Sequence, residues 1–300
     1  MSHAPTAAQD LHDKYADAAF APRSVVVPLD GSSDSEAALT MGSYLADAFG
    51  VGLRIVHAID NQETDASAAV ATFESYVSEL MGQSPATRLQ PTTEVTAGSA
   101  SDVILDAATP EDLIVIASHG RGGLKSALFG SVADKVVRGA RGPVVVVPVS
   151  QNLVAPPIHT VLIAVDESEC AAHAAAVGRS LAARLGASVS LVNSYMPTPV
   201  AAGLETPYIP SQTGEFERDA AKELVSETAE PGEHGHVVLG PTVEAITDVV
   251  EDLGAGLVVA GSSGKGFFGR LLTGSISESL MHKLDRPLLI VPAPQEHTDA

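Results

Sequence analysis

Apolar residues along this chain fall into short dense runs separated by longer stretches with an apolar position at every third or fourth residue. The dense runs Val25 to Leu29, Leu53 to Ile59, Leu113 to Ala117 and Val144 to Val147 are rich in Val and Ile and read as strands buried on both faces. After the first run come Ala37, Met41, Leu45 and Ala48, at spacings of four, four and three, which line one face of a helix. The pattern then predicts a helix over about 66 to 82, a strand near Thr93 to Ala97, a helix with Val103, Ile104 and Ala107, and a helix with Val132, Val136 and Val137. That order, β-α-β-α-β-α-β-α-β, predicts a doubly wound parallel sheet with helices on both faces.

Beyond Pro156-Pro157 the order repeats. Val161 to Val165 reads as a strand, Ala174, Val177, Leu181 and Leu185 as a helical stripe, and Val189 to Asn193 as the second strand. A Pro/Gly-rich loop at 194 to 214, a polar helix at 215 to 229 and a strand at Val237 to Leu239 come next. The helix of Val243, Ile246, Val250 and Leu253 and the strands Leu257 to Ala260 and Leu288 to Val291 complete the copy. Aspartates end the first strand of each copy 136 residues apart (166 minus 30), and Gly-Ser pairs recur 144 residues apart (274 minus 130). A tandem duplication with insertions confined to loops accounts for both offsets. The chain is therefore divided into a tail (1–22), a first domain (23–149), a linker (150–157), a second domain (158–292) and a short tail (293–300). Leu11 to Phe20 could make a short helix but shows no core-facing pattern, so the first 22 residues are read as a tail.

Chemistry concentrates where the fourth strand of each copy ends. In the second copy the strand runs into Gly261-Ser262-Ser263-Gly264, nine residues follow, and Gly274-Ser275-Ile276 opens a helix with Ser275 expected at its N-cap. The first copy reads Ala117-Ser118-His119-Gly120, nine residues, then Gly130-Ser131-Val132. Glycines at such a turn let backbone amides approach an anion, and a helix N-terminus adds further donors. Asp30 and Asp166 end the first strands, so each faces the same crevice as a glycine loop, at the switch in strand order where open parallel sheets take ligands. Such a carboxylate can accept from an adenine amine or ribose hydroxyls, or it can cap the next helix.

Composition narrows the chemistry. The formal net charge of −20, from 37 acidic and 17 basic residues, repels a nucleic-acid backbone and makes local cations necessary at any phosphate site. Arg121, Lys125, Lys265 and Arg270 in the two loops are the candidates. Aromatics make up only 4% and Trp is absent, so the cores must be aliphatic. Cys170 is the one cysteine, which excludes a disulfide framework and reads as a packed thiol. Glu233-His234-Gly235-His236 resembles a metal tract only in composition, occurs once and is placed in a polar loop. No apolar run reaches the roughly 18 residues of a membrane span and no secretory leader is evident, so a soluble cytoplasmic protein is expected.

On the aspartate, the glycine loop and the Gly-Ser pair, both halves resemble universal stress protein domains of the ATP-binding subclass, whose hallmark is Gly-x2-Gly-x9-Gly-Ser/Thr. The resemblance spans residues 23 to 149 and 158 to 292. It implies two tandem Rossmann-like domains of the adenine-nucleotide-binding type, each an open five-stranded parallel sheet. It also implies ATP, with or without Mg2+, held by Asp166, Gly261, Gly264, Lys265, Gly274, Ser275 and Ile276 in the second half. In the first half the matching residues are Asp30, Gly120, Arg121, Gly130, Ser131 and Val132. Ala117 departs from the pattern, and its methyl is expected either to crowd the phosphate or to be tolerated.

The family's pairing mode implies that Pro143 to Pro148 and Pro287 to Pro292 meet as a pseudo-dimer within one chain, leaving room for a homodimer and a protein partner. With no placed general base, the expected function is a nucleotide-dependent stress-response or regulatory module with slow or no hydrolysis, at most a weak ATPase. Two alternatives stand beside it. One is an ATP-using enzyme, because Asp30-Gly31-Ser32-Ser33-Asp34-Ser35 is similar at several positions to the Ser-Gly-Gly-x-Asp-Ser loop of ATP pyrophosphatases. The other is a nucleotide-free interaction scaffold.

Overall fold

The computed structural model describes residues 7–15, 20–59, 66–83, 89–118, 130–149, 157–197, 210–263 and 274–294. The chain opens with α1 (Ala7–Tyr15) and continues through β1 (Ser24–Pro28), α2 (Ser33–Phe49), β2 (Gly52–Ile59), α3 (Ala66–Gln83), β3 (Thr92–Ala97), α4 (Ala100–Ala107), β4 (Leu113–Ala117), α5 (Ser131–Gly139) and β5 (Val144–Val147). The second half follows as β6 (Thr160–Ala164), α6 (Glu169–Leu185), β7 (Ser188–Tyr195), α7 (Pro210–Thr228), β8 (His234–Leu239), α8 (Thr242–Leu253), β9 (Leu257–Gly261), α9 (Ser275–Lys283) and β10 (Leu288–Val291).

Ten strands form one sheet in the order β3-β2-β1-β4-β5-β10-β9-β6-β7-β8. Within each half every pairing is parallel. The one antiparallel junction joins the last strands, with Leu288 opposite Val146, Leu289 opposite Val145 and Ile290 opposite Val144. The two last strands thus meet within one chain, as the resemblance to the family led us to expect.

Because both faces of a parallel sheet are covered, its strands are apolar at successive positions rather than alternating ones. The consequence is visible at the junction, where Val144 to Val147 and Leu288 to Val291 are all buried. Val145, Val147, Leu289 and Val291 point into one core layer, and Val144, Val146, Leu288 and Ile290 into the other. Each layer therefore runs through both halves. On one side of the sheet lie α2 and α6, with α3 and α7 beyond them; on the other lie α4, α5, α8 and α9.

Close approach of α2 and α6 to the sheet is set by a repeated glycine. A Cβ on Gly42 would come within 2.3 Å of Val27, and one on Gly178 within 3.0 Å of Ile163 and 3.2 Å of Val259. The two positions differ by 136 (178 minus 42), the offset of the aspartates. Both helices also end alike, on a left-handed glycine, Gly50 and Gly186, whose amide returns to the last turn.

The segments ahead of the two first strands cross over. The Phe20 amide donates to Ser180 Oγ of α6 at 3.0 Å, and the Ile158 amide donates to Tyr44 Oη of α2 at 3.3 Å. Ser180 and Tyr44 are again 136 apart (180 minus 44), so each half is clasped by the lead-in of the other.

Part of the tail read at 1–22 is structured. The helix α1 docks on α6 and α7 of the second half, with Tyr15 buried and its ring 5.3 Å from that of His173. Its docking rests on a few residues of a nine-residue helix, too short to register as a periodic stripe. The tract at 233–236 also differs from its reading as a loop. His234 opens the edge strand β8, where a Cβ on Gly235 would lie 2.1 Å from Val225, so the glycine lets α7 cover that strand.

Polar contacts at the α1 dock make it sensitive to pH. Lys14 and Tyr15 both donate to Glu169, and these bonds hold its carboxyl below the usual range. Burial pushes His173 below its ordinary 6.5, partly opposed by the Pro292 carbonyl at 3.3 Å and by Glu169. Burial and the bond to Glu169 raise Tyr15 to about 12. Two depressed groups contribute stability that is present above their ordinary values and lost as pH falls, while the raised Tyr15 contributes until pH climbs through its folded value. The groups facing His173 are Tyr15 from α1, Glu169 from α6 and the carbonyl after β10. The wild-type melting midpoint, followed by circular dichroism, is expected to fall between pH 7.5 and 5.5 more steeply than that of a His173→Gln variant. Parallel slopes would show that this imidazole does not couple to folding.

Candidate functional site

Each crevice has two walls, and the first is the turn after the first strand. Asp30 Oδ1 accepts from the Ser32 amide at 3.0 Å and from Ser32 Oγ at 2.5 Å, while Asp166 Oδ1 accepts from the Ser168 amide at 2.8 Å. The serines, not the aspartates, are the N-caps. Ser32 Oγ accepts from the Ser35 amide at 3.3 Å and Ser168 Oγ from the Ala171 amide at 3.1 Å. The aspartates brace the caps from two residues upstream.

A residue on the neighbouring strand fixes the carbonyl that precedes each aspartate. His57 Nδ1 lies 2.7 Å from the Leu29 carbonyl, and Asn193 Nδ2 donates to the Val165 carbonyl at 2.7 Å. A carbonyl only accepts, so the proton of His57 sits on Nδ1, and the ring stacks on Phe73 at 4.4 Å and 13°. His57 and Asn193 carry no motif of their own, and the offset of 136 between them (193 minus 57) is the one signal of the pair in the sequence.

The second wall starts where the fourth strand ends. The Gly130 amide donates to the Ser118 carbonyl at 2.7 Å, and the Gly274 amide to the Ser262 carbonyl at 2.5 Å. Each glycine loop is thereby closed at its base in the same way. Gly130 and Gly274 are the N-caps of α5 and α9, with no side-chain cap bond. Ser275 was expected at the N-cap; it and Ser131 are instead the first helical residues, because the glycine keeps the extended backbone of a cap.

That shift has a chemical effect. In α2, α4 and α6 a serine oxygen occupies an N-terminal amide, whereas α5 and α9, and α8 behind the proline N-cap Pro241, begin without such an acceptor. The first intrahelical bonds are those of Asp134 to Gly130 and Glu278 to Gly274. The amides of Ser131 and Val132, and of Ser275 and Ile276, precede them and have no intrahelical partner. Ser131, Ser275 and Ile276 are exposed, and Gly130 and Val132 half-buried.

Acidic residues in those first turns would oppose an anion, but one arginine answers both. Arg138 Nε lies 2.9 Å from Asp134 and its Nη2 3.2 Å from Glu278 Oε2, which also ties the two halves together. Hydrogen bonds to these two acids raise the guanidinium further above its ordinary range. Gly120 and Arg121 of the first loop and Gly264 and Lys265 of the second lie outside the described residues, as do His119, Lys125 and Arg270. Among the described residues no three His, Cys, Asp or Glu side chains are grouped to hold a metal ion.

Gly261 has a reason to be glycine apart from any ligand. A Cβ there would meet Cys170 Sγ at 2.8 Å and the Cys170 carbonyl carbon and oxygen at 3.1 Å. The direction is toward the first turn of α6, not toward the crevice. Cys170 is buried, with Sγ 3.6 Å from the Val291 carbonyl and 3.9 Å from Ser262 Oγ. In the first half the methyl of Ala117 is buried in the core layer shared with α2. The sequence counterpart of Cys170 in the first half is Asp34 (170 minus 34 is 136). Ser277 adds a bond of its own, Oγ donating to the Gly261 carbonyl at 2.6 Å.

The profile of the universal stress protein family matches the chain twice, over residues 22–148 and 157–292. The chain is similar to universal stress protein Rv2005c of Mycobacterium tuberculosis, 26% identical over 294 residues that cover 89% of this chain and 96% of that one. It is also similar to a shorter universal stress protein of Thermus aquaticus, 32% identical over 135 residues, or 44% of this chain and 97% of that one. Among solved structures, a universal stress protein of Archaeoglobus fulgidus shares the fold at a TM-score of 0.64 and 22% identity, covering 92% of this chain and all of its own (100%). Among the described residues no helix is long and apolar enough to cross a membrane. Two family domains in succession, each with the same aspartate turn and the same glycine-capped helix, make this chain a tandem member of the universal stress protein family.

Proposed function

We propose that each half binds one ATP in the crevice beyond its parallel strands and that the pair acts as a nucleotide-dependent regulatory module with slow or no hydrolysis. The observation that carries this reading is the uncapped start of α5 and α9, where a glycine N-cap is pinned to the end of the preceding strand and leaves consecutive backbone amides for an anion. Asp30 and Asp166 suit the other end of the ligand, since an ionised carboxylate accepts from an amine or a hydroxyl.

In the first half Asp30, Gly120, Arg121, Gly130, Ser131 and Val132 would hold the nucleotide. In the second half Asp166, Gly261, Gly264, Lys265, Gly274, Ser275 and Ile276 would do so. ATP supplies negative charge and a base to be recognised, and the chain's own groups bind and orient it. Any Mg2+ would accompany the phosphates, because the described side chains offer no cluster for it. The resemblance gives a stress-response role to such a module, acting from the cytoplasm through a protein partner or a homodimer.

Nucleotide released by acid from freshly purified protein and counted after chromatography is expected to reach two ATP equivalents per chain. Gly274→Asp or Gly130→Asp, each placing a carboxylate at an anion-binding N-terminus, should lower the count to one. A wild-type chain that carries no nucleotide and takes none up on addition of ATP would overturn the reading.

The glycine and alanine at the ends of β9 and β4 give a second expectation. Gly261→Ala should cost about 1–3 kcal/mol of stability through overpacking against α6, and should weaken ATP binding in the second half. Ala117→Gly should leave binding in the first half within about twofold, because the methyl faces the core. Calorimetric titration with ATP checks both; a large gain for Ala117→Gly would mean that the methyl does crowd the phosphate.

A further inference from the structure

The first turn of α6 is the meeting point of three groups of contacts. On one side Ser168 caps the helix and donates its amide to Asp166. On another, Cys170 packs against Gly261 and Ser262, the base of the glycine loop. From outside, α1 holds Glu169, the residue between them. Lys14 Nζ pairs with Glu169, and Tyr15 Oη donates to the same oxygen at 2.6 Å. Leu11 and His12 of α1 line a cleft together with Val165, Asp166, Glu167 and Ser168. His12 Nε2 also lies 3.9 Å from Glu230, just beyond α7.

Charge reinforces the geometry. Glu169 opens α6, where the helix dipole favours an anion, and Lys14 sits in the last turn of α1, where it favours a cation. In the first half the counterpart of Glu169 is Ser33 (169 minus 33 is 136), and the first-turn acid Glu36 accepts instead from Tyr76 of α3, within the same half, at 3.0 Å.

We propose that α1 is a brace for the nucleotide site of the second half: Lys14 and Tyr15 hold Glu169, fix the first turn of α6, and so keep the Asp166 turn and the base of the glycine loop in register. Lys14, Tyr15 and Glu169 are positioning residues that touch no ligand. The inference rests on the ATP reading above and adds that the two sites differ, the second depending on a helix that precedes the first half. Coupling is reciprocal, so whatever α1 adds to ATP affinity, ATP must add to the docking of α1.

The test uses the full chain carrying Tyr15→Phe with Glu169→Ala, which removes both bonds, leaves the ring in place and keeps Lys14 as a tryptic site. A second variant lacking residues 1–15 leaves α6 unaltered. Second-half affinity for ATP is read in an Asp30→Ala background and first-half affinity in an Asp166→Ala background. Both brace variants are expected to weaken the second site roughly five- to twentyfold, within the usual span of allosteric coupling, and to leave the first unchanged. In the wild-type background saturating ATP should slow tryptic cleavage after Lys14 by the same factor. Unaltered second-site affinity in the chain lacking residues 1–15, or in the double variant once its α1 is shown to be cleaved readily, would overturn the brace while leaving the nucleotide reading intact. Equal weakening of both sites would also overturn it, since the effect would then be one of general stability. A wild-type chain that binds no ATP removes both the reading and the brace.

Discussion

Everything in this molecule is arranged around the antiparallel pairing of β5 with β10. Each half ends in a strand buried on both faces, and a half by itself would leave that strand as an unpaired apolar edge. Joining the two edges extends both core layers across the junction and relates the halves by an approximate two-fold axis. The symmetry explains the crossed lead-ins. A segment that enters β1 from the α2 side passes over α6, and its counterpart entering β6 passes over α2, as the Phe20–Ser180 and Ile158–Tyr44 bonds show.

Within each half, the width of the crevice depends on how closely the helix after the first strand can approach the end of the fourth. Parallel pairing of β1 with β4 and of β6 with β9 puts the aspartate turn beside the glycine loop. What sets the gap is then the side chain at the helix start. Cys170 reaches Gly261 and fills the space, whereas in the first half the methyl of Ala117 itself joins the core. Departure from the glycine pattern in the first half is thus a packing variation before it is a ligand variation.

Much of this was legible in the sequence. Strands buried on both faces give dense Val/Ile runs, and a duplication gives a constant offset, so the element order could be read directly, while the meeting of the last strands followed from the family resemblance. Three features were not. The short α1 owes its place to Tyr15, Lys14 and their partners on another half, information that no local period carries. His234 and Gly235 begin a strand whose small and polar residues are explained only by α7 lying over it. Ser275 is a good capping residue, and it took the backbone of Gly274 to show that the cap lies one position earlier. The loop cations Arg121, Lys125, Lys265 and Arg270 fall outside the described residues, so that part of the expectation rests on the sequence alone.

A duplicated chain with this junction cannot keep its two sites equivalent. The two-fold relation directs the lead-in of each half onto the other, but the two lead-ins are different pieces of chain. Ahead of β6 is a linker whose far end is already fixed at β5, so its path is limited by two anchored strands. The segment ahead of β1 instead carries a helix that settles along α6 and α7. The dock thus falls on the second half, where Glu169 stands at the position of Ser33. The asymmetry at the helix start therefore follows from the topology, while the difference of Gly261 from Ala117 at the strand end is one of local packing.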